Sequence, residues 1–122
     1  MTSTKRIGFV GVGNMGQCAH LLNYTDLDGC KVVALAEVRP ELAARVASRY
    51  EVGKVYADHR EMLAAESLDG IVAAQPFTRH GVLLPELFAS GIPVLSEKPL
   101  ARSVEAGRRL VQTGGQHVLG YH

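Results

Sequence analysis

The chain has 122 residues and a mass of 13.1 kDa, enough for one domain with a substantial core and too little for two of ordinary size. Its 13 Lys and Arg residues nearly balance 12 Asp and Glu and are spread along the sequence, which speaks against both a nucleic-acid stripe and a polybasic lipid-binding cluster. No apolar run approaches membrane-spanning length, and the few residues before Arg6 leave no room for a signal sequence, so the expectation is a soluble, cytoplasmic protein. Cys18 and Cys30 form no Cys-x-x-Cys pair and lie in or beside apolar segments, as buried thiols in a reducing compartment do. His20, His59, His80, His117 and His122 show no ligand spacing, and no metal site is expected.

Apolar strand segments alternate with helical ones throughout, the pattern of an α/β doubly wound parallel sheet in three layers, α-β-α. The first strand is Arg6–Val10. After it, Met15, Cys18, Ala19 and Leu22 share one face of a helix beginning near Asn14. A second strand over Val32–Ala36 leads to a helix opened by Pro40, with Leu42, Ala43, Val46, Ala47 and Tyr50 on its inner face. A short strand at Val55-Tyr56 precedes Asp58, which can cap a helix whose Glu61 completes a capping box. Gly70–Ala74 is the fourth strand. Thr78 can cap a helical stretch to Ser90 that Pro85 should kink or divide. Ile92–Ser96 is the fifth strand, Ser103 caps a helix ending at Gly114-Gly115, and His117–Tyr121 is the sixth strand.

The most specific chemistry lies between the first two strands. Gly11-Val12-Gly13-Asn14-Met15-Gly16 follows the first strand with no linker and opens a helix, which is the context of a dinucleotide-binding turn. Gly11 lets the chain leave the strand sharply, Gly13 leaves no side chain between backbone and pyrophosphate, and Gly16 lets helix and strand pack closely. The phosphates then face the free N–H groups and the positive dipole end of the helix around Asn14 and Met15. Glu37 ends the second strand, 21 residues after Gly16, where a carboxylate can accept hydrogen bonds from both hydroxyls of an adenosine ribose. A 2′-phosphate about 4 Å from that carboxylate would meet a repulsion on the order of 4 kcal/mol per charge pair at an effective dielectric of ~20, so NAD should be preferred over NADP. Arg39 is either a partner for a 2′-phosphate or the adenine face, or a solvated arginine ahead of Pro40.

Ligands in this architecture bind beyond the carboxyl ends of the strands. There the sequence carries Gln75-Pro76-Phe77-Thr78-Arg79-His80 after the fourth strand and Glu97-Lys98-Pro99-Leu100-Ala101 after the fifth. Together with the glycine turn, these segments make the whole chain similar to the amino-terminal domain of the glucose-fructose oxidoreductase, inositol dehydrogenase and rhizopine-catabolism family of NAD(P)-dependent oxidoreductases. The resemblance implies that Gln75, Pro76 and His80 border the nicotinamide ribose and diphosphate, and that Glu97 bonds that ribose. Lys98 would reach both cofactor and substrate, across a cis Lys98-Pro99 bond. Tyr121 and His122 match a segment near the nicotinamide and the substrate. Gln75 stands where the family often has threonine or a small residue.

Oxidation of a secondary alcohol needs a hydride acceptor and a group that takes the hydroxyl proton. A lysine partly desolvated beside NAD is suited to the second task, which makes Lys98 the candidate catalytic residue, as proton acceptor or relay; its alternative is a surface lysine. His80 equally fits a residue that only caps or packs, and His122 a chain-terminal residue of no consequence. Family members continue into a second domain that supplies the substrate pocket, further acid-base residues and the oligomer interface. The resemblance thus implies that residues 1–122 are the cofactor half of an enzyme acting on a sugar, cyclitol or related polyol. The same fold also serves NAD(P)-sensing regulators that lack catalysis and glycosidases that use bound NAD transiently.

Overall fold

The computed structural model describes residues 4–13, 20–75 and 77–120. Six strands, β1 (Lys5–Val10), β2 (Cys30–Ala36), β3 (Lys54–Tyr56), β4 (Gly70–Ala73), β5 (Val94–Glu97) and β6 (His117–Gly120), form one parallel sheet in the order β3-β2-β1-β4-β5-β6. The connecting helices are α1 (Leu22–Asp26), α2 (Pro40–Tyr50), α3 (His59–Ala65), α4 (His80–Ala89) and α5 (Val104–Gln112). The α/β doubly wound architecture expected from the alternation of segments is the one observed.

The central strands read as continuous apolar runs because both their faces are covered. One layer packs Phe9, Val32, Leu35 and Val72 against Leu21 ahead of α1 and against Val46 and Ala47 of α2. The opposite layer packs Val10, Val33, Ile71 and Val94 against Met62 of α3, Leu83, Leu84 and Leu87 of α4, and Leu110 of α5. Placing α1 and α2 on one face and α3, α4 and α5 on the other is what right-handed crossovers demand once the chain, having built β2 and β3 on one side of β1, returns to build β4 on the other. The carboxyl ends of β1 and β4 therefore border the switch point, the crevice where such sheets take ligands.

Three local expectations shift. Leu22 is 48 % exposed and Leu21 is the fully buried residue; both lie one turn beyond Cys18, and spacings of three and four share a helical face. Cys18 and the residues before Leu21 on that expected face, Met15 and Ala19, lie outside the described residues, while Cys30 is half-buried with its thiol donating to the Tyr24 carbonyl at 3.4 Å. Strand β5 starts at Val94, because Pro93 has no N–H to give the ladder, although its carbonyl accepts from Ile71 N–H at 2.9 Å. Of the two outcomes expected at Pro85, division of α4 does not occur: the helix runs as one element from His80 to Ala89 with Thr78 in a 3-10 turn ahead of it. The residue four back from Pro85 is Gly81, exposed and without a side chain, so the carbonyl left without its helical donor faces solvent.

The caps at Asp58 and Ser103 form as expected, accepting from Arg60 N–H at 2.6 Å and Ala106 N–H at 3.1 Å. Glu61 makes no reciprocal bond to Asp58 among the described residues, so the box is half made. Asp58→Ala should therefore lower unfolding stability by about 1 kcal/mol, and Glu61→Ala by less than about 0.5 kcal/mol, as read from urea denaturation of the two variants.

Candidate functional site

The ladder continues past the ends of the strands and ties the site together. Gly11 N–H donates to the Ala36 carbonyl at 2.8 Å, Ala74 N–H to the Val10 carbonyl at 2.8 Å, and Glu37 N–H to the Tyr56 carbonyl at 2.9 Å. Gly11 takes φ +86°, and a Cβ there would stand 2.7 Å from Gln75 Cγ and 3.1 Å from Gln75 N. The turn after β1 is thus packed directly against the segment after β4, in a backbone conformation that glycine alone enters freely. At Gly13 the situation is reversed. Among the described residues, a Cβ at that position would have Arg39 Nη2, 3.9 Å away, as its nearest neighbour, a spacing that leaves the backbone approachable by a diphosphate on that side.

Glu37 is 5 % exposed, which is unusual for a glutamate without a task. Its Oε1 accepts from Val12 N–H at 3.2 Å and Arg39 Nη2 at 3.1 Å; its Oε2 accepts from the backbone N–H and the Nε of Arg39 at 3.0 and 2.9 Å. Burial pushes the Glu37 carboxyl up, and the hydrogen bonds and charge of Arg39 with the Val12 N–H outweigh it, leaving the group below the ordinary glutamate range. Four donors fill the carboxylate's four lone-pair positions, so a ribose can bond Glu37 only by displacing some of them. Arg39, 62 % exposed along its side chain, is the one that can leave. Its observed place, clasped on Glu37, is a third possibility beside the two that the sequence suggested.

Across the crevice, Glu97 at the end of β5 is hydrogen-bonded to His20, which stands just ahead of α1. Both side chains are mostly covered. His20 escapes sequence reasoning because its partner is 77 residues away and no local pattern marks the pair. Lys98 follows Glu97 directly and is exposed, and the Lys98-Pro99 bond is cis, as the resemblance implied.

His80 has no exposed surface. Its Nδ1 lies 2.7 Å from the Leu100 carbonyl, so Nδ1 carries the proton, and Nε2 has no partner among the described residues. It therefore reaches the site by holding the loop after Pro99. Beneath Glu97, the buried Ser96 hydroxyl meets His117 Nε2 at 2.6 Å, and burial, then the nearby His80, pushes His117 below its ordinary range. Gly11, Gly13, Glu37, Arg39 and Gln75 are thus brought together, with Glu97 and Lys98 on the far side of the crevice. Asn14, Met15, Gly16, Pro76, Tyr121 and His122 lie outside the described residues. Among the described residues no cluster of His, Cys, Asp or Glu could hold a metal ion, and no helix is long and apolar enough to cross a membrane.

A glycine turn at the switch point with a buried acid at the end of the neighbouring strand defines the class of dinucleotide-binding α/β domains. The chain belongs to the Gfo/Idh/MocA oxidoreductase family, whose NAD-binding Rossmann fold matches residues 5–118. It is 37 % identical over 123 residues to an inositol 2-dehydrogenase/D-chiro-inositol 3-dehydrogenase of Shouchella clausii, covering 91 % of this chain and 36 % of that protein. Similarity to an inositol 2-dehydrogenase of Burkholderia ambifaria is 35 % over 124 residues, with 91 % and 36 % covered. Among solved structures, scyllo-inositol dehydrogenase from Lactobacillus casei with bound NAD(H) and scyllo-inositol superposes with a TM-score of 0.87 at 25 % identity, over 97 % of this chain and 36 % of that one. The chain thus spans about 36 % of the length of the curated relatives it matches.

Because the folded value for Glu37 is depressed, its contribution to stability is fully present above the unfolded value of about 4.3 and is lost as pH falls through the lower folded one. The melting temperature of the wild-type chain should fall through that acid window, and the fall should be smaller in Glu37→Gln. Equal slopes in the two proteins, followed by circular dichroism, would contradict this account of the Glu37 cluster.

Proposed function

We propose that the chain is the cofactor half of an NAD-dependent dehydrogenase acting on a cyclitol or a related polyol. The observation that carries the proposal is the Glu37 cluster: a buried carboxylate hydrogen-bonded to the glycine turn itself, through Val12, beside a Gly13 that no side chain of the described residues crowds more closely than Arg39. This arrangement fits adenosine ribose and diphosphate, with the ribose hydroxyls taking the positions that Arg39 vacates. The glycine turn, with Asn14, Met15 and Gly16, then cradles the diphosphate, and Gln75, Pro76 and Glu97 line the nicotinamide half.

Bound NAD would supply the hydride acceptor. The chain's own residues orient it: Glu37 fixes the adenosine end, Glu97 the second ribose, and His80 holds the loop that carries Lys98 through the Leu100 carbonyl. Lys98 takes or relays the proton of the substrate hydroxyl. Lys98 is exposed in this chain, so in this reading the desolvation its role needs is supplied by the bound cofactor and by a substrate domain of the kind that would account for the rest of the relatives' length. That further part, with Tyr121 and His122 at its approach, supplies the substrate pocket. The inositol dehydrogenases to which the chain is similar support a cyclitol as substrate.

Calorimetric titration tests the reading. NAD should bind saturably and more tightly than NADP, and Glu37→Ala should narrow that preference by at least about tenfold, since removing the carboxylate removes both the ribose acceptor and the repulsion on a 2′-phosphate. Binding of neither nucleotide would overturn the proposal. For the substrate class, a full-length protein containing this chain should form NADH from inositol, visible as an absorbance rise; none with any cyclitol or sugar would remove the dehydrogenase assignment.

A further inference from the structure

The two halves of the sheet repeat one arrangement. In the first, β1 is followed by β2 and an acid, Glu37; in the second, β4 is followed by β5 and an acid, Glu97. Each carboxylate stands at the carboxyl end of the second strand of its half. Each is mostly buried, with side-chain exposures of 4 % and 12 %, and each is met by a cationic or cation-forming side chain, Arg39 for Glu37 and His20 for Glu97. The partners differ in origin. Arg39 is local to its acid, whereas His20 comes from the segment after the glycine turn, so its bond joins the first half of the sheet to the second across the ligand crevice.

We infer that His20 is a positioning residue for the second nucleotide of the dinucleotide: it holds the Glu97 carboxylate in the orientation in which that group accepts the hydroxyls of the second ribose. The inference rests on the proposed function, which places Glu97 at that ribose, and adds His20 to it. Three observations support it. The pair lies at the carboxyl edge of the sheet, where ligands bind and the packing of the core does not need it. Ser96, the preceding residue, turns its hydroxyl into the buried contact with His117, so strand alternation sends Glu97 to the opposite face, the one from which α1 and its approach at His20 come. Finally, the contact is made through His20 Nε2 to a single oxygen, Oε1, of a carboxylate that is 12 % exposed along its side chain, so His20 engages one edge of the group and fixes its rotation.

A ligand series separates the halves of the site. ADP engages the adenosine and the diphosphate only, ADP-ribose adds the second ribose, and NAD adds the nicotinamide. Wild-type chain, His20→Ala and His20→Gln would each be titrated with all three by calorimetry, with circular dichroism of each variant to monitor the fold. His20→Ala should weaken ADP-ribose and NAD about tenfold and change ADP less than about twofold, and His20→Gln, which keeps a side-chain N–H, should recover binding to within about threefold. Unchanged NAD and ADP-ribose binding in His20→Ala, or an equal loss for ADP, would overturn the inference, the latter because it would place the effect on the phosphate turn or the fold. Failure of the glutamine variant to recover would do the same. Wild-type chain that binds ADP-ribose no tighter than ADP would remove the role of His20 and leave the adenosine half of the proposed function standing; wild-type chain that binds none of the three would remove both.

Discussion

The central constraint on this molecule is that β1 is hydrogen-bonded along both edges. Its register sets Val10 opposite Ala36 of β2 and opposite Ala73 of β4, and β4 in turn sets Ala73 opposite Ser96 of β5. One residue further along, the same row reads Glu37, Gly11, Ala74 and Glu97, with Gly120 of β6 opposite Glu97. The candidate site is a single row across a parallel sheet. A slip of one residue in any of these pairings would turn the strand's alternation over and send an acid to the wrong face, which buried apolar neighbours on both faces prohibit.

The electrostatics of that row follow from the same packing. Carboxylates beside a buried sheet edge are costly unless donors surround them, and the chain surrounds both of its acids with its own groups. Glu37 is saturated by four donors, one of them from the glycine turn. In the proposed binding, a nucleotide would meet groups already in order and exchange its hydroxyls for a partner that is largely solvated. Arg39 is 62 % exposed along its side chain, so water takes up the guanidinium when it leaves, while the buried Glu37 carboxylate keeps the Val12 N–H and needs the ribose hydroxyls to replace the bonds it loses. The Val12 N–H, buried and part of the turn, need not move, and it links the adenosine end of the site to the phosphate end.

Most of this is legible in the sequence because it is local. Apolar runs name the strands, glycines name the turn, and an acid directly after an apolar run needs only counting to find. The errors fall where one local signal competes with another or where no local signal exists. Pro93 sits in an apolar run yet delays β5, since a strand needs donors as well as hydrophobicity. Pro85 by itself argues for a kinked or divided α4, and the absence of a side chain at Gly81 with the exposure of that turn keeps the helix undivided. His80 is legible as important and not as buried: its task is to bond the Leu100 carbonyl, and only the fold brings the start of α4 under that loop. His20 and Glu97, 77 residues apart, meet because the chain crosses the sheet between them.

The distribution of polar groups also separates binding from chemistry. The two acids that would seat the cofactor are mostly buried and hydrogen-bonded by partners within residues 1–122, Glu37 by Val12 and Arg39 and Glu97 by His20, and the loop after Lys98 is tied down by His80 through the Leu100 carbonyl. Lys98, the group proposed to move a proton, is exposed. A binding residue gains from being fixed before the ligand arrives, because the cost of orientation then falls on folding and not on affinity. A proton acceptor gains nothing from early burial, since its basicity must be set in the presence of the cofactor's charge and of whatever closes over it. Preorganised acids within this domain and an unburied lysine at its rim are therefore consistent with one design, in which the proposed binding groups are fixed by the fold and the proposed proton acceptor takes its environment from what binds beside it.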